Sequence, residues 1–148
     1  MATVKWGSPG TYTAAFAASA LSNLANGARV LGSEIDNSSN RYRWMDIVVD
    51  ARFASAPAGT TAVNIYLIPA VDGTNYADGD GSVAPPATAF IAAIPVRAVN
   101  TAQKVAVLRL QAPPCKFKFV FDNQSGQATY TGDSATQVSY RLYSEEIA

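Results

Sequence analysis

The chain has 148 residues, with eleven basic and eleven acidic side chains, no histidine and one cysteine. That length holds one domain with a core of its own, and 49% apolar residues exclude a disordered chain. The balanced charge lacks the basic excess of a nucleic-acid binder. The absent imidazole removes Ser-His-Asp and Cys-His catalysis and His-ligated zinc.

Charged residues make up 15% of the chain, against roughly 25% in ordinary globular proteins. Its surface must therefore be rich in Ala, Ser, Thr, Asn and Gly, which neighbouring subunits can cover at little desolvation cost. Cys115 has no partner for an internal disulfide; behind Pro114 and before an alternating strand, it reads as a buried structural thiol. Lys5, Trp6, Gly7 and Pro9 do not read as the apolar core of a cleaved export signal. No apolar run reaches the length of a membrane span.

In chain order, residues 2–6 form a short strand candidate within an N-terminal segment, 1–27. Tyr12 to Leu24 is alanine-rich; Phe16, Ala20 and Leu24 share a helical face and Asn26-Gly27 would end a helix. The segment reads as a short helix or an irregular arm. A β-sandwich domain, 28–148, follows, with a short strand candidate near 28–35.

From Met45, apolar residues fall on Met45, Ile47, Val49, Ala51 and Phe53, with Trp44, Asp46, Val48, Asp50 and Arg52 opposite, as a half-buried strand requires. Val63, Ile65 and Leu67 repeat the pattern. Between these two strands Ala56-Pro57-Ala58-Gly59 reads as a hairpin connection. Segments near 88–97 and 103–111 are strands, and Pro95 places the first at an edge or a bulge. Phe117, Phe119 and Phe121 share one face, with Lys116 and Lys118 on the other; rings that each bury roughly 150–250 Å² mark this strand as a centre of the core. Val138, Tyr140 and Leu142 alternate in a final strand. About eight short strands separated by polar turns predict an all-β, jelly-roll-like β-sandwich of antiparallel strands with an N-terminal arm.

Sites of chemistry are sparse. Asp72 to Gly81 offers oxygen ligands for Ca²⁺, but its spacing departs from the EF-hand loop, and Asp and Gly are what tight turns demand. Asp46 and Asp50, four apart on the outward face of one strand, would sit about 13 Å apart, too far for either glycosidase geometry. Glu145 and Glu146 read as a solvated tail. No phosphate loop or dinucleotide fingerprint is present. No catalytic, cofactor-binding or metal-binding residue is expected, and no enzyme activity. Tyr42, Trp44, Tyr66 and Tyr143 are outward aromatics with three readings: docking of another subunit, covering by the N-terminal arm, or gripping a sugar ring.

Two stretches resemble small virion proteins of tailed bacteriophages. One is Leu21-Ser-Asn-Leu-Ala-Asn-Gly27 with Ile35-Asp-Asn37. The other is Tyr66-Leu-Ile-Pro69 leading into Asp72-Gly-Thr-Asn-Tyr-Ala-Asp78. Pro95-Val-Arg-Ala-Val99, Phe117-Lys-Phe119 and Asp122-Asn-Gln-Ser-Gly126 continue the likeness. The resemblance implies a capsid decoration, or cement, protein: a small β-domain, often a jelly roll, that sits as a trimer outside a filled head and clamps the major capsid protein. The family brings no catalytic residues.

The expectation is a non-enzymatic structural protein on the outer capsid surface, made in a bacterial cytoplasm. It would form a homo-oligomer, as a trimer, and bind the major capsid protein without a cofactor, a nucleic acid or a membrane. Thr3, Val4, Trp6, Tyr42 and Trp44 are its candidate contact residues. A carbohydrate-binding β-sandwich module and a tail or baseplate subunit are the alternatives.

Overall fold

The computed structural model describes residues 2–147, and among them the regular structure is nearly all strand, with no α-helix and one 3₁₀ turn at Ala87–Ala89. The strands are β1 (Val4–Trp6), β2 (Thr13–Ala14), β3 (Arg29–Leu31), β4 (Ile35–Asp36), β5 (Trp44–Ala51), β6 (Ala62–Ala70), β7 (Phe90–Pro95), β8 (Gln103–Gln111), β9 (Lys116–Gln124), β10 (Gln137–Tyr143) and β11 (Glu145–Ile147). Two antiparallel sheets form a sandwich. The first has the order β2-β10-β5-β8; in the second, β3 and β4 both pair with β9, followed by β6 and β7. A separate ribbon joins β1 to β11, bringing the two ends of the chain together.

Alternation explains the core. Met45, Ile47, Val49 and Ala51 of β5 face Val63 and Ile65 of β6 and Phe117, Phe119 and Phe121 of β9 in one continuous buried cluster. All three phenylalanines are fully buried, and Phe117 and Phe119 meet edge-on with centroids 5.7 Å apart. β7 is an edge strand and ends at Pro95, where a missing N–H costs no ladder bond.

Two expectations need correction, and one resolves between its alternatives. First, Ala56-Pro57-Ala58-Gly59 is not a hairpin turn, because β5 and β6 belong to different sheets. Both strands are apolar on one face, and stacking them across the core buries both faces, which side-by-side pairing would not. The buried Phe53, bridged to Thr129, extends β5 to the crossing.

Second, of the two forms expected for Tyr12 to Leu24, the chain takes the irregular one and not the helix. Thr13 and Ala14 pair with β10, and a series of turns follows in which Ala20 N–H donates to Ala17 O and Ser22 N–H to Ser19 O. Phe16 and Leu21 enter the core. Backbone groups that a helix would satisfy internally find other partners here. The Thr129 hydroxyl donates to Leu21 O at 2.6 Å and accepts Leu24 N–H at 2.7 Å. The Asn123 amide donates to Leu24 O, Ala25 O and Gln127 O. Gly32 allows this segment to pass close by, since a Cβ there would lie 2.7 Å from Ala15 O.

Third, Cys115 is only half-buried, although desolvation still raises its thiol pKa.

The connection between β6 and β7 folds over the outer face of the second sheet. There Ile68, Ala89 and Val120 form a small second cluster with Leu31 and Tyr66. Tyr76 anchors it by donating its hydroxyl to Glu34, which also pairs with Lys116 at 3.0 Å. Desolvation and the Glu34 carboxylate push the Tyr76 hydroxyl up to about 12.

Candidate functional site

The outer face of the first sheet carries the most elaborate side-chain arrangement. Cross-strand register sets Trp44 opposite Tyr143 and Asp46 opposite Arg141 on one face. Asp46 is only 3% exposed, which is unusual for a carboxylate on the polar side of a strand. Its Oδ2 accepts Nε and Nη2 of Arg141 at 3.0 and 2.8 Å. Its Oδ1 accepts the Tyr143 hydroxyl at 2.8 Å and the Arg109 backbone N–H at 2.9 Å. Burial opposes ionisation most strongly, but these hydrogen bonds and the Arg141 charge together outweigh it and hold the Asp46 carboxyl below the usual range.

The Arg109 bond arises from an irregularity in the edge strand β8. Pairing between β5 and β8 shifts register between Met45 and Ile47, and Arg109 adopts a left-handed φ of 60°. A bulge of this kind re-aims a side chain. Here it lays the Arg109 guanidinium 5.0 Å from the Trp6 ring centroid and 5.8 Å from that of Trp44. Trp6 in turn meets Tyr143 and Trp44 edge-on at 5.8 and 6.4 Å. Arg141 lies 4.9 Å from the Tyr12 ring. Between these groups opens a pocket of about 340 Å³ lined by Trp6, Pro9, Leu108, Arg109 and Arg141, with Asp46 at its base.

The pocket is rimmed by exposed apolar groups. Trp6 is 48% exposed, Tyr12 41% and Leu108 59%. Arginine, tryptophan and tyrosine with neighbouring aliphatic area are the composition of interface hot spots.

Of the candidate contact residues, Trp6 and Trp44 meet here. Val4 is exposed on β1 and Thr3 immediately precedes it. Tyr42 is exposed outside the pocket, its backbone held by the Asn37 amide. For Trp44 and Tyr143 the arm-covering reading describes the geometry, because Trp6 lies against both. Tyr66 belongs to the other sheet and packs on Phe90 at 5.6 Å, so the outward aromatics do not form one platform.

Asp46 and Asp50 do share an outward face, but Asp46 is buried while Asp50 pairs with Lys104 at 3.3 Å. Asp72 and Asp80 accept backbone N–H groups of Thr74 and Asn75 and of Ser82 and Val83. Those bonds lower both carboxyl pKa values and make them turn-formers. Glu145 lies in β11 and approaches Arg43 at 3.9 Å; Glu146 is also in β11. Both belong to the terminal ribbon.

Sequence reasoning missed Tyr12, Leu108, Arg109 and Arg141. Arg109 gives no local signal, because the bulge that re-aims it is a property of pairing with β5.

The chain matches no protein-family model and no curated protein by sequence.

Proposed function

We propose that this protein is a non-enzymatic structural subunit of a phage virion, a decoration protein that docks on the major capsid protein and stabilises the shell. The observation that carries the reading is the exposed Trp6–Tyr12–Leu108 surface with two guanidiniums fixed at its centre. A side chain such as Trp6, already packed on two rings, loses little conformational entropy on docking, and its remaining surface is available to a partner. The low charge of the rest of the surface fits crowding beside other subunits.

The strand order supports the finer fold reading. Apart from β6 to β7 and the broken β3–β4 strand, each step along the chain from β2 to β10 crosses between the sheets. Counting β3 and β4 as one, eight strands in two four-stranded sheets with this alternation fit a jelly roll. Assembly as a trimer would present several docking faces at once, so weak individual contacts act at high effective concentration.

The test uses purified particles and the purified protein. The wild type is expected in many copies over the shell and to rebind stripped shells; Trp6→Ala and Leu108→Glu are expected to fold and to lose that binding. A few copies at one vertex would point to a tail or baseplate subunit instead. Absence from particles, or full rebinding by both variants, would overturn the proposal.

A further inference from the structure

We infer that the pocket between Trp6, Arg109 and Arg141 is a carboxylate-binding site that takes an aspartate or glutamate side chain of the docking partner. This rests on the docking reading above and adds the chemistry of the contact.

The first argument is charge. The pocket holds two guanidiniums against one carboxylate. Asp46 is committed to Arg141 through Oδ2, and its Oδ1 is taken by Tyr143 and the Arg109 backbone. No carboxylate among the described residues forms an ion pair with the Arg109 guanidinium. Of the neighbouring acids, Asp50 turns to Lys104 and Glu145 to Arg43, and Glu146, whose carboxylate lies beside the lining residue Gly7, pairs with neither guanidinium. The chain as a whole is neutral, so this surplus positive charge is local.

The second argument is construction. A left-handed Arg109 costs stability, and a carboxylate as buried as Asp46 is tolerated only with the full set of partners it has here. Both features converge on holding the two cations at one pocket wall. A surface that merely needed solubility would require neither.

The third argument is geometry. A guanidinium is a planar fork matched to a carboxylate. Trp6 and Trp44 lie beside Arg109, and a partner seated on them would exclude water there, which strengthens a charge-assisted hydrogen bond. An aromatic or aliphatic neighbour on the partner would rest on Leu108 and Pro9.

The experiment is a titration of the isotope-labelled full chain, following the Arg Nε–H and Trp indole N–H resonances by NMR. The probe is N-acetyl-tyrosyl-glutamyl amide, with its glutaminyl counterpart, sodium phosphate and galacturonate as comparisons. The glutamyl probe is expected to shift Arg109 and Trp6 and to bind about ten-fold more tightly than the glutaminyl one, the difference between a charge-assisted and a neutral contact. Arg109→Gln should remove that preference while the residue-109 N–H still donates to Asp46, so the Tyr143 and Arg141 signals report an intact frame.

Equal binding of the two peptides, or no shift, would overturn the carboxylate site. Tighter binding of phosphate would replace it with a general anion site, and tighter binding of galacturonate with an acidic-sugar site. Failure of the docking reading is separate: it shows as undiminished shell binding by Trp6→Ala, whatever the probes do.

Discussion

Arg141 grips Asp46 through a single oxygen: Nε and Nη2 both reach Oδ2, at 3.0 and 2.8 Å, leaving Oδ1 to Tyr143 and the Arg109 backbone. The carboxylate thus ties β5 to β10 on one side and to the bulged β8 on the other. Removing the two partners should have unequal effects. Asp46→Asn keeps the shape but replaces one of the two accepting oxygens with a donor, and should cost about 1–3 kcal/mol. Arg141→Met strands a buried carboxylate without its cation and should cost more, about 3–5 kcal/mol. Urea unfolding at neutral pH gives the order; a larger loss for Asp46→Asn would show that the Arg109 and Tyr143 bonds, not the ion pair, dominate.

The same node sets a response to acid. A carboxyl whose folded pKa lies below its unfolded value of 3.8 stabilises the fold above 3.8 and loses that contribution as pH falls through the lower, folded value. The chain has no histidine, so no side chain of ordinary pKa titrates between about pH 5 and 8. Stability should be nearly flat over that range and fall below about pH 4. The gap between wild type and Asp46→Asn should narrow on the same acid limb. Paired urea curves at neutral and strongly acidic pH measure it, and a constant gap would remove Asp46 from the account.

How much of this was legible follows from what each signal encodes. Alternation reports which face of a strand is buried, so Met45–Phe53 and the Phe117–Phe121 set were readable residue by residue. It says nothing of which sheet a strand joins, and that is why Ala56-Pro57-Ala58-Gly59 resembled a hairpin while joining two layers. Asp46 sits on the polar side of its alternation and so reads as solvated. Its partners Arg109 and Arg141 lie 63 and 95 residues further along the chain, beyond any local pattern. The alanine-rich stretch carried a weak helical period, but Thr129 and Asn123, more than 90 residues away, supply the hydrogen bonds that hold it in turns.

The N-terminal segment is energetically divided. β1 pairs only with the short β11, with all three of its residues exposed, and such a ribbon is marginal alone; beyond it, Trp6 alone packs on the sheet, against Trp44 and Tyr143. Ala15 and Phe16 are core residues at 1% and 3% exposure, and Ala15 bonds through its backbone to Val138 and Ser33. Deleting residues 2–6 should leave a cooperative fold with a small loss of stability. Deleting residues 2–20 removes the Phe16 side chain, whose burial compares with Phe→Ala losses of about 3–5 kcal/mol, together with β2, and should prevent folding. Circular dichroism melts of both truncations test this; a cooperative melt from the longer deletion would show that the sandwich closes without Phe16.

Asn123 offers the most selective test of how turns replace a helix. It is fully buried, its amide nitrogen faces the carbonyls of Leu24, Ala25 and Gln127, and its Oδ1 accepts the Ser125 hydroxyl at 2.7 Å. Asn123→Asp changes one atom but sets a carboxylate oxygen against three carbonyl oxygens in a buried site. Asn123→Ala leaves those carbonyls unpaired without adding charge, at about 1–3 kcal/mol for each poorly satisfied group. The aspartate variant should therefore be the less stable at neutral pH, and it alone should recover as acid protonates the new carboxyl, because its folded pKa is raised by burial among acceptors. Thermal melts of both variants across pH decide it. An aspartate variant as stable as the alanine one at neutral pH would mean that the 22–27 turn yields to let water reach the site.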